Sequence, residues 1–310
     1  GMRTGFETNY NRLHTPNAFT SFSMDAFLNM TTKGFHTFGI DASLVPTEAF
    51  DYFEARKDGA FVVFPKQVSA SAFISSDYRR KIALDLRYWT DINAIPGWFS
   101  SNYRIAPRVR MSDKVMLTYV YSFQHDFNQQ GFAGFDSDDN VIIGKRDVTV
   151  HTNVLNLRYI FTNRMGLTFR ARHYWSNASY NSYARLAEEG NLFDAQGAGY
   201  LSSSFNSYET LDGNGELATV QINDDGVASN NRSFNAFNID LVYSWVFSPG
   251  SEIRVVWKNA ILDESNTIPS DWGRNFDRTL NLPQRNSFSI KILYFIDYLS
   301  LKNKTKAIQN

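Results

Sequence analysis

The sequence contains no cysteine and no run of about 18 consecutive apolar residues. The first absence excludes a disulfide scaffold and zinc sites built on cysteine. The second absence argues against transmembrane helices. The 31 basic and 31 acidic residues cancel, so no overall field points to nucleic acid as a partner. The N-terminus has no apolar signal stretch, although an exported protein needs one.

What the chain does contain is an excess of aromatic residues. They make up 15% of the sequence, with 26 Phe and 16 Tyr, although the mean hydropathy is negative at -0.35. A soluble protein would have to bury most of this aromatic surface. A membrane barrel displays it to lipid and keeps polar residues inside.

Apolar and polar residues alternate with a period of two over segments about as long as a tilted strand needs to cross a bilayer. The clearest segments are 114–124, 236–247, 252–261 and 288–298, and each has one apolar face rich in aromatic residues. Further strands are predicted near 5–11, 20–30, 34–43, 47–56, 64–76, 82–88, 99–110, 150–161 and 167–172.

Short and long connections alternate in the C-terminal half. Tight turns are predicted at 111–114, 162–166 and 248–251, and long polar stretches at 125–147, 177–232 and 263–284. Outer-membrane barrels have short periplasmic turns and long external loops. We therefore predict an all-β fold, an antiparallel transmembrane β-barrel over 1–302 with a polar tail at 303–310, in the outer membrane of a Gram-negative bacterium. The alternative is a soluble β-sandwich whose aromatic faces meet in a core.

The strand count gives a further expectation. Counting back from the C-terminus gives about 13–14 strands, and with an odd count the first strand runs in the same direction as the last. Complete bacterial barrels usually have an even number of strands. We therefore expect the chain to be the C-terminal portion of a barrel that lacks its upstream strands.

Several segments carry a resemblance to a known family: DYFEAR at 51–56, IIGKRDV at 142–148, MGLTFRARHYWS at 165–176, FSPGS at 247–251 and YFIDYL at 294–299. They resemble an uncharacterised Bacteroidota family, a domain of unknown function that forms an outer-membrane barrel after a carbohydrate-binding-like domain of family nine. The resemblance covers most of 40–302, but the loop 190–230 does not match. It implies no established activity for any residue.

The polar faces of the strands are predicted to line the lumen. The candidates are Asp85, Arg87, Arg104, Arg108, Arg158, Arg170, Arg172, Asp240, Glu252, Arg254, Lys258 and Lys291, with Asp25, Asp41, Arg110, Lys114 and Asp297 as further members. Basic residues outnumber acidic ones, which favours anionic or sugar-like solutes through electrostatic focusing and bidentate arginine contacts. The alternative is that these charges pair across neighbouring strands and only hydrate or fill the lumen.

The apolar faces often end in aromatic residues, which suit the headgroup layer of a membrane. The predicted aromatic girdle consists of Tyr119, Tyr121, Phe123, Tyr243, Trp245, Phe247, Trp257, Tyr294 and Tyr298. The long loop 177–232 adds Tyr180, Tyr183, Tyr200, Phe205 and Tyr208, which either form platforms for a glycan or pack against each other.

Local motifs for chemistry are few. Asp136, Asp138 and Asn140 place oxygen ligands at alternating positions, as calcium loops do. The sixth position is Val141 where such loops have glycine, so an ordinary acidic loop tip is the alternative. His173 and Ser176 invite comparison with outer-membrane hydrolases, but strand alternation places them on opposite faces. Glu54 and Arg56 share a strand face in this interpretation and are expected to support a network in the lumen.

The expected function is passage or surface recognition of glycan-related or anionic solutes. Glycans enter only through the resemblance. One alternative is an outer-membrane hydrolase that acts on carbohydrate or lipid with lumen carboxylates as acid and base. Another is a barrel that docks an envelope partner. Outer-membrane lipid is the expected partner, and neither a cofactor nor nucleic acid is expected.

Overall fold

The computed structural model describes residues 1–95, 97–187, 200–222, 229–269 and 271–296. Strands dominate, and all strand pairs are antiparallel, which confirms the predicted all-β antiparallel class. Within these ranges no helix is long and apolar enough to span a membrane.

The elements follow one another in chain order as β1 (Met2–Arg12), β2 (Phe19–Thr31), β3 (Thr37–Val45), β4 (Ala49–Asp51), β5 (Val62–Phe64), β6 (Gln67–Ser75), β7 (Ile82–Asn93), β8 (Phe99–Arg110), β9 (Val115–Phe135), β10 (Val141–Thr162), β11 (Met165–Arg185), β12 (Ser207–Leu211), β13 (Leu217–Gln221), β14 (Arg232–Ser248), β15 (Ser251–Ser265), α1 (Trp272–Leu280) and β16 (Arg285–Leu293).

Twelve of these strands form one sheet in the order β1-β2-β3-β6-β7-β8-β9-β10-β11-β14-β15-β16. Each strand pairs with its neighbours along the chain, apart from two hairpins that lie outside this sheet. Within the described ranges, β1 pairs only with β2, and β16 pairs only with β15. The described residues therefore form an open sheet, and no closed barrel is seen.

The predicted strand near 47–56 is wrong as a member of the main sheet. Only Ala49–Asp51 is extended, and it pairs with β5 in a separate hairpin. The strand stops because the Asp51 Oδ1 accepts hydrogen bonds from the backbone N–H groups of Phe53 and Glu54, at 2.8 and 2.9 Å, and this aspartate turn competes with pairing. Among the described residues the main sheet thus has twelve strands, where the sequence predicted about 13–14, and β1 and β16 run in opposite directions. The odd count from which missing upstream strands were expected is not observed.

The connections define two ends of the sheet. The short-turn end carries the connections at 32–36, 76–81, 111–114, 163–164 and 249–250, and the long-loop end carries those at 46–66, 186–231 and 266–284. The connections at 186–231 and 266–284 are long, as predicted. The predicted loop 125–147 is wrong, because most of it is strand and only 136–140 joins β9 to β10, so short and long connections do not alternate strictly. The strands β9, β10 and β11 have 21, 22 and 21 residues and extend beyond their neighbours at the long-loop end.

This extension is the centre of a small folded unit, which we call the cap. The hairpin of β4 and β5 packs on one side, where Ala55 and Val62 meet Val141, Ile143 and Leu186. The hairpin of β12 and β13 packs on the other side. Its cluster contains Ile142, Tyr180, Tyr183, Tyr208 and Val220. Because both faces are covered, the sequence alternation disappears in this region.

The helix α1 lies within the predicted loop 263–284. The Asp271 side chain caps it by accepting from the backbone N–H groups of Gly273 and Arg274. The Asn275 side chain makes two reciprocal hydrogen bonds with Asn235 of β14, at 2.6 and 3.1 Å. The helix therefore folds back onto one face of the sheet near its long-loop end.

Candidate functional site on the charged face

Cross-strand register places the predicted lumen residues on one face of the main sheet, which we call the charged face. Arg87 pairs with Arg104, Arg170 with Asp240, and Asp240 with Lys258. The other candidates lie on the same face by register and by spacing along their strands. Asp297 lies outside the described residues. Whether this face encloses a lumen stays a prediction.

The opposite face, which we call the aromatic face, carries the predicted girdle residues Tyr119, Tyr121, Phe123, Tyr243, Trp245, Phe247, Trp257 and Tyr294. Tyr298 lies outside the described residues. The aromatic face also carries exposed aliphatic side chains on β7, where Ile82, Leu84 and Leu86 alternate with residues of the charged face.

Rings on the aromatic face form a belt near the long-loop end. Tyr103, Phe123, His151 and Trp175 occupy one register row across β8 to β11. Their ring centroids are 5.0, 4.9 and 5.1 Å apart from one neighbour to the next. The polar atom of the Trp175 ring has a partner nearby, because the Trp175 Nε1–H donates a hydrogen bond to the Ser233 Oγ at 3.3 Å. This row is the long-loop belt.

A second belt lies near the short-turn end. Tyr159 and Phe161 of β10 have ring centroids 4.2 Å apart, and Tyr243 of β14 follows at 6.3 Å from Phe161. Phe247 stacks on Tyr294 at 6.2 Å. Between His151 and Phe161, β10 turns Leu155 and Leu157 to the same face. The aromatic face thus carries two aromatic belts. The band between them holds Leu155 and Leu157 but also Asn153, Tyr119 and Tyr121, and α1 covers this band at His173.

The charged face is divided along the sheet, and the strands β1 to β7 carry most of its acids. Each of three aspartates is held by hydrogen-bond donors. Asp25 accepts from Asn9 and Ser23 at 3.0 Å. Asp41 accepts from Ser71 at 2.7 Å and lies 3.7 Å from Arg87. Asp85 accepts from Ser75 and Tyr78.

The strands β8 to β11 carry arginines instead. Within the described part of the chain, Arg104, Arg108, Arg110, Arg158, Arg170 and Arg172 have no carboxylate oxygen within 4.0 Å. Arg108 lies over the Tyr78 ring and Arg172 over the Tyr174 ring. Further along the sheet, charges pair again, as Lys258 with Asp240 and Arg254 with Glu252. Four adjacent strands thus carry six unpaired arginines, and among the described residues Arg3 of β1 and Lys291 of β16 also lie on this face without a carboxylate oxygen within 4.0 Å.

A cleft of about 530 Å³ lies over the acidic strands β1 to β7 and reaches Arg104 of β8. Its charged lining residues are Glu7, Asp25, Asp41, Asp91, Arg87 and Arg104. Glu7 and Asp91 are not among the lumen residues predicted from the sequence, although strand alternation in β1 and β7 places both on this face. A groove of about 550 Å³ lies on the opposite side of the same strands and is lined mainly by alanine and aliphatic side chains. The charged cleft is a better candidate than the groove for recognition of polar solutes, because several charged groups line it.

The aromatic residues predicted in the loop 177–232 form part of the cap. Tyr180, Tyr183 and Tyr208 are buried against each other, as the self-packing alternative predicts. Burial raises the pKa of Tyr183 and of Tyr208.

Glu54 and Arg56 do not share a strand face. The Glu54 Oε1 accepts from the Phe132 N–H at 2.6 Å, and the Arg56 guanidinium lies over the Phe132 ring.

The calcium candidate is an internally bonded turn. Asp136 accepts from the Asn140 side chain, from the backbone N–H groups of Asp138 and Asn140, and from the Arg185 Nε at 2.7 Å. Burial raises the pKa of Asp136, but these bonds outweigh it and hold the pKa below its usual value. In the described ranges, no three acidic or histidine side chains converge on one point as a metal site requires.

His173 and Ser176 lie on opposite faces, as strand alternation predicts. His173 is buried under α1, where its ring contacts Phe276 and Trp272 at centroid distances of 5.0 and 5.9 Å. Ser176 lies on the charged face, where it pairs with Val150 and Phe234. A histidine that serves as base for a serine must lie within hydrogen-bond reach of it, so this pair is not a nucleophile and its base.

Comparison with curated proteins gives no match. A family model described as "Domain of unknown function (DUF5916)" matches residues 1–305, nearly the whole chain. This match confirms the resemblance to an uncharacterised domain family, and the chain belongs to the DUF5916 family.

Proposed function

We propose that this chain forms the wall of an outer-membrane β-barrel whose charged face borders a water-filled lumen for anionic solutes. The observation that carries the proposal is the opposite chemistry of the two faces of one antiparallel sheet. One face has two aromatic belts around a mainly apolar band, and the other has charged side chains. A transmembrane barrel needs this division, since one face meets hydrocarbon and the other meets water.

The spacing of the belts supports this placement. From His151 to Phe161, β10 advances roughly 33 Å along the strand. Strands of membrane barrels tilt by about 40°, so the belts would be about 25 Å apart along the membrane normal, which is the height of the apolar band in such barrels. The cap, formed at the long-loop end, would then lie outside the bilayer.

The arginines of β8 to β11 support the preference for anions. A guanidinium is charged at all ordinary pH values and binds carboxylate or phosphate through two parallel hydrogen bonds. Six such groups without a carboxylate partner raise the local concentration of anions. Glycan-related solutes stay in the proposal only through the family resemblance, and acidic or phosphorylated sugars are the members that fit the arginines.

Neighbouring residues on β10 test the orientation of the two faces. Leu157 lies on the aromatic face, and Asn156 lies on the charged face beside Thr118 and Arg170. Because the protein has no native cysteine, nitroxide labels on Leu157→Cys and Asn156→Cys report on single positions. With the intact protein in lipid vesicles, we expect the label at 157 to be accessible to oxygen, which concentrates in lipid. The label at 156 should be accessible to a water-soluble nickel chelate.

The label at 156 is the matched control for the label at 157. If position 157 is shielded from both quenchers, the aromatic face is buried in a dry core and the membrane placement is wrong. If the two labels respond alike, the two faces do not meet different solvents and the proposal fails.

Ion selectivity tests the preference for anions. In planar bilayers with a KCl gradient, we expect the reversal potential of the intact protein to show selectivity for chloride. The double substitution Arg104→Gln and Arg172→Gln should shift the reversal potential toward zero. It removes two cations of the charged face that have no carboxylate partner. A reversal potential that favours potassium, or that both substitutions leave unchanged, would contradict the anion preference.

A further inference from the structure

A small cavity at the short-turn end of the charged face is separate from the large cleft. It has a volume of about 250 Å³ and lies between the turn that joins β8 to β9 and the adjacent part of β10. Its charged lining residues are Arg110, Lys114, Arg158 and Asp113. Ser112 and Met116 also line it.

The register of three strands explains why the cations converge. Arg110 pairs with Met116, and Met116 pairs with Arg158. Adjacent strands are about 4.8 Å apart, so the two arginines stand roughly 10 Å apart on either side of the methionine. Lys114 is the last residue of the turn before β9, and it lines the same cavity. The Lys114 Nζ donates to the Phe161 carbonyl oxygen at 3.4 Å, which leaves two N–H donors for another partner.

The protein itself does not neutralise these cations. Among the described residues, Arg110, Lys114 and Arg158 have no carboxylate oxygen within 4.0 Å, and Asp113 forms no ion pair with any of them. Elsewhere on the charged face, Arg87, Arg254 and Lys258 each have an acidic neighbour. The single Asp113 carboxylate leaves the cavity with an excess of two positive charges.

We propose that this cavity binds a phosphate-sized oxyanion between Arg110, Lys114 and Arg158. A tetrahedral anion accepts hydrogen bonds on several sides at once, so it can bridge two guanidinium groups and an ammonium group. The volume suits such an ion and is too small for an oligosaccharide. This inference rests on the proposed function in one respect, since the lumen would bring the anion to the cavity.

Titration calorimetry of the detergent-solubilised intact protein tests the site. Inorganic phosphate is titrated at constant ionic strength, with chloride as the reference anion. We expect saturable phosphate binding and an affinity at least tenfold lower in Arg158→Gln. Arg110→Gln should weaken binding to a similar degree and is the second variant if Arg158→Gln fails to fold. Arg172→Gln is the matched control, because Arg172 is an unpaired arginine of the same face outside the cavity, and we expect less than a threefold change.

Two results would overturn the site. One is phosphate binding no stronger than chloride binding. The other is an equal loss of affinity in Arg158→Gln and Arg172→Gln, which would show a diffuse field in place of a site. If either result is obtained while the protein still selects for anions, the cavity site is wrong but the proposed function is not affected. Failure of the nitroxide experiment removes the membrane placement, whatever the calorimetry shows.

Discussion

Two neighbouring residues of β10 allow a sharp test of the cap. Ile142 and Ile143 are both fully buried, but they point in opposite directions. Ile142 packs in the cluster with Tyr208 and Val220 of the β12–β13 hairpin. Ile143 packs with Ala55 and Val62, beside the β4–β5 hairpin. We therefore expect Ile142→Ala to loosen the first hairpin and Ile143→Ala to loosen the second.

The size of the effect follows from burial. Truncation of a fully buried isoleucine to alanine costs about 2–5 kcal/mol, because a cavity remains where the side chain was. Local opening of a hairpin that depends on this contact becomes easier by up to the same free energy. A change of 2 kcal/mol corresponds to roughly thirtyfold faster amide exchange, since about 1.36 kcal/mol is a factor of ten.

Hydrogen exchange with mass spectrometry is the assay, on the intact protein in detergent. Exchange of peptides from 207–221 should accelerate in Ile142→Ala, while peptides from 49–64 keep their rate. Ile143→Ala should show the reverse pattern. Peptides from the main sheet, such as 82–110, are the internal control and should not change. Equal acceleration of both hairpins in each variant, or of neither, would refute the two-sided packing of the cap.

Three further predictions concern packing, charge and hydrogen bonding. A Cβ at Gly39 would overlap the Phe73 ring and the Asn29 side chain, so Gly39→Ala should cost about 1–3 kcal/mol of stability. In a Phe73→Ala background, Gly39→Ala should cost less stability, as measured by thermal unfolding. If Gly39→Ala leaves the stability unchanged in the natural background, the inferred packing is wrong. Asp136→Asn should destabilise the cap by about 1–2 kcal/mol at pH 7, because hydrogen bonds to a charged acceptor are the stronger ones. The pKa of Asp136 is lower in the folded protein than the ordinary value of 3.8, so its contribution is complete above that value and is lost as the pH falls below it. In Asp136→Asn, the protection of cap amides from hydrogen exchange should not show this loss at low pH. If both proteins lose protection equally as the pH falls, Asp136 is not the group responsible. Trp175→Phe keeps the ring beside His151 but removes the donor to Ser233, so chemical denaturation should show a loss of about 1 kcal/mol. A Ser233→Ala background should reduce that loss, and an unchanged loss would mean that the hydrogen bond contributes nothing.

The sequence by itself determined the chemistry of the two faces. A strand turns successive side chains to opposite sides, so the alternation in 114–124 and 236–247 was enough to separate the cations from the aromatic girdle. It also determined the antiparallel order, because short turns can join only neighbouring strands that run in opposite directions. The family resemblance, too, was visible in local segments such as 165–176.

Only the tertiary structure decided which charges are paired. Asp41 and Arg87 come together across β3, β6 and β7, whereas Arg158 and Arg110 face each other across Met116 without an acid between them. Cross-strand register fixes these neighbours, and register depends on the exact turn lengths and bulges. Strand alternation indicated an excess of basic residues on the charged face, but it could not show that the arginines of β8 to β11 lack a carboxylate partner.

The cap and α1 were also beyond the sequence pattern. Strand segments such as 129–135 and 177–185 lose their alternation because other parts of the chain cover both of their faces, and a polar loop has the same appearance in sequence. His173 is buried only because α1 folds back over it from a distant part of the chain. Local periodicity records which side of a strand meets solvent, and contacts between segments far apart in the chain decide what covers it.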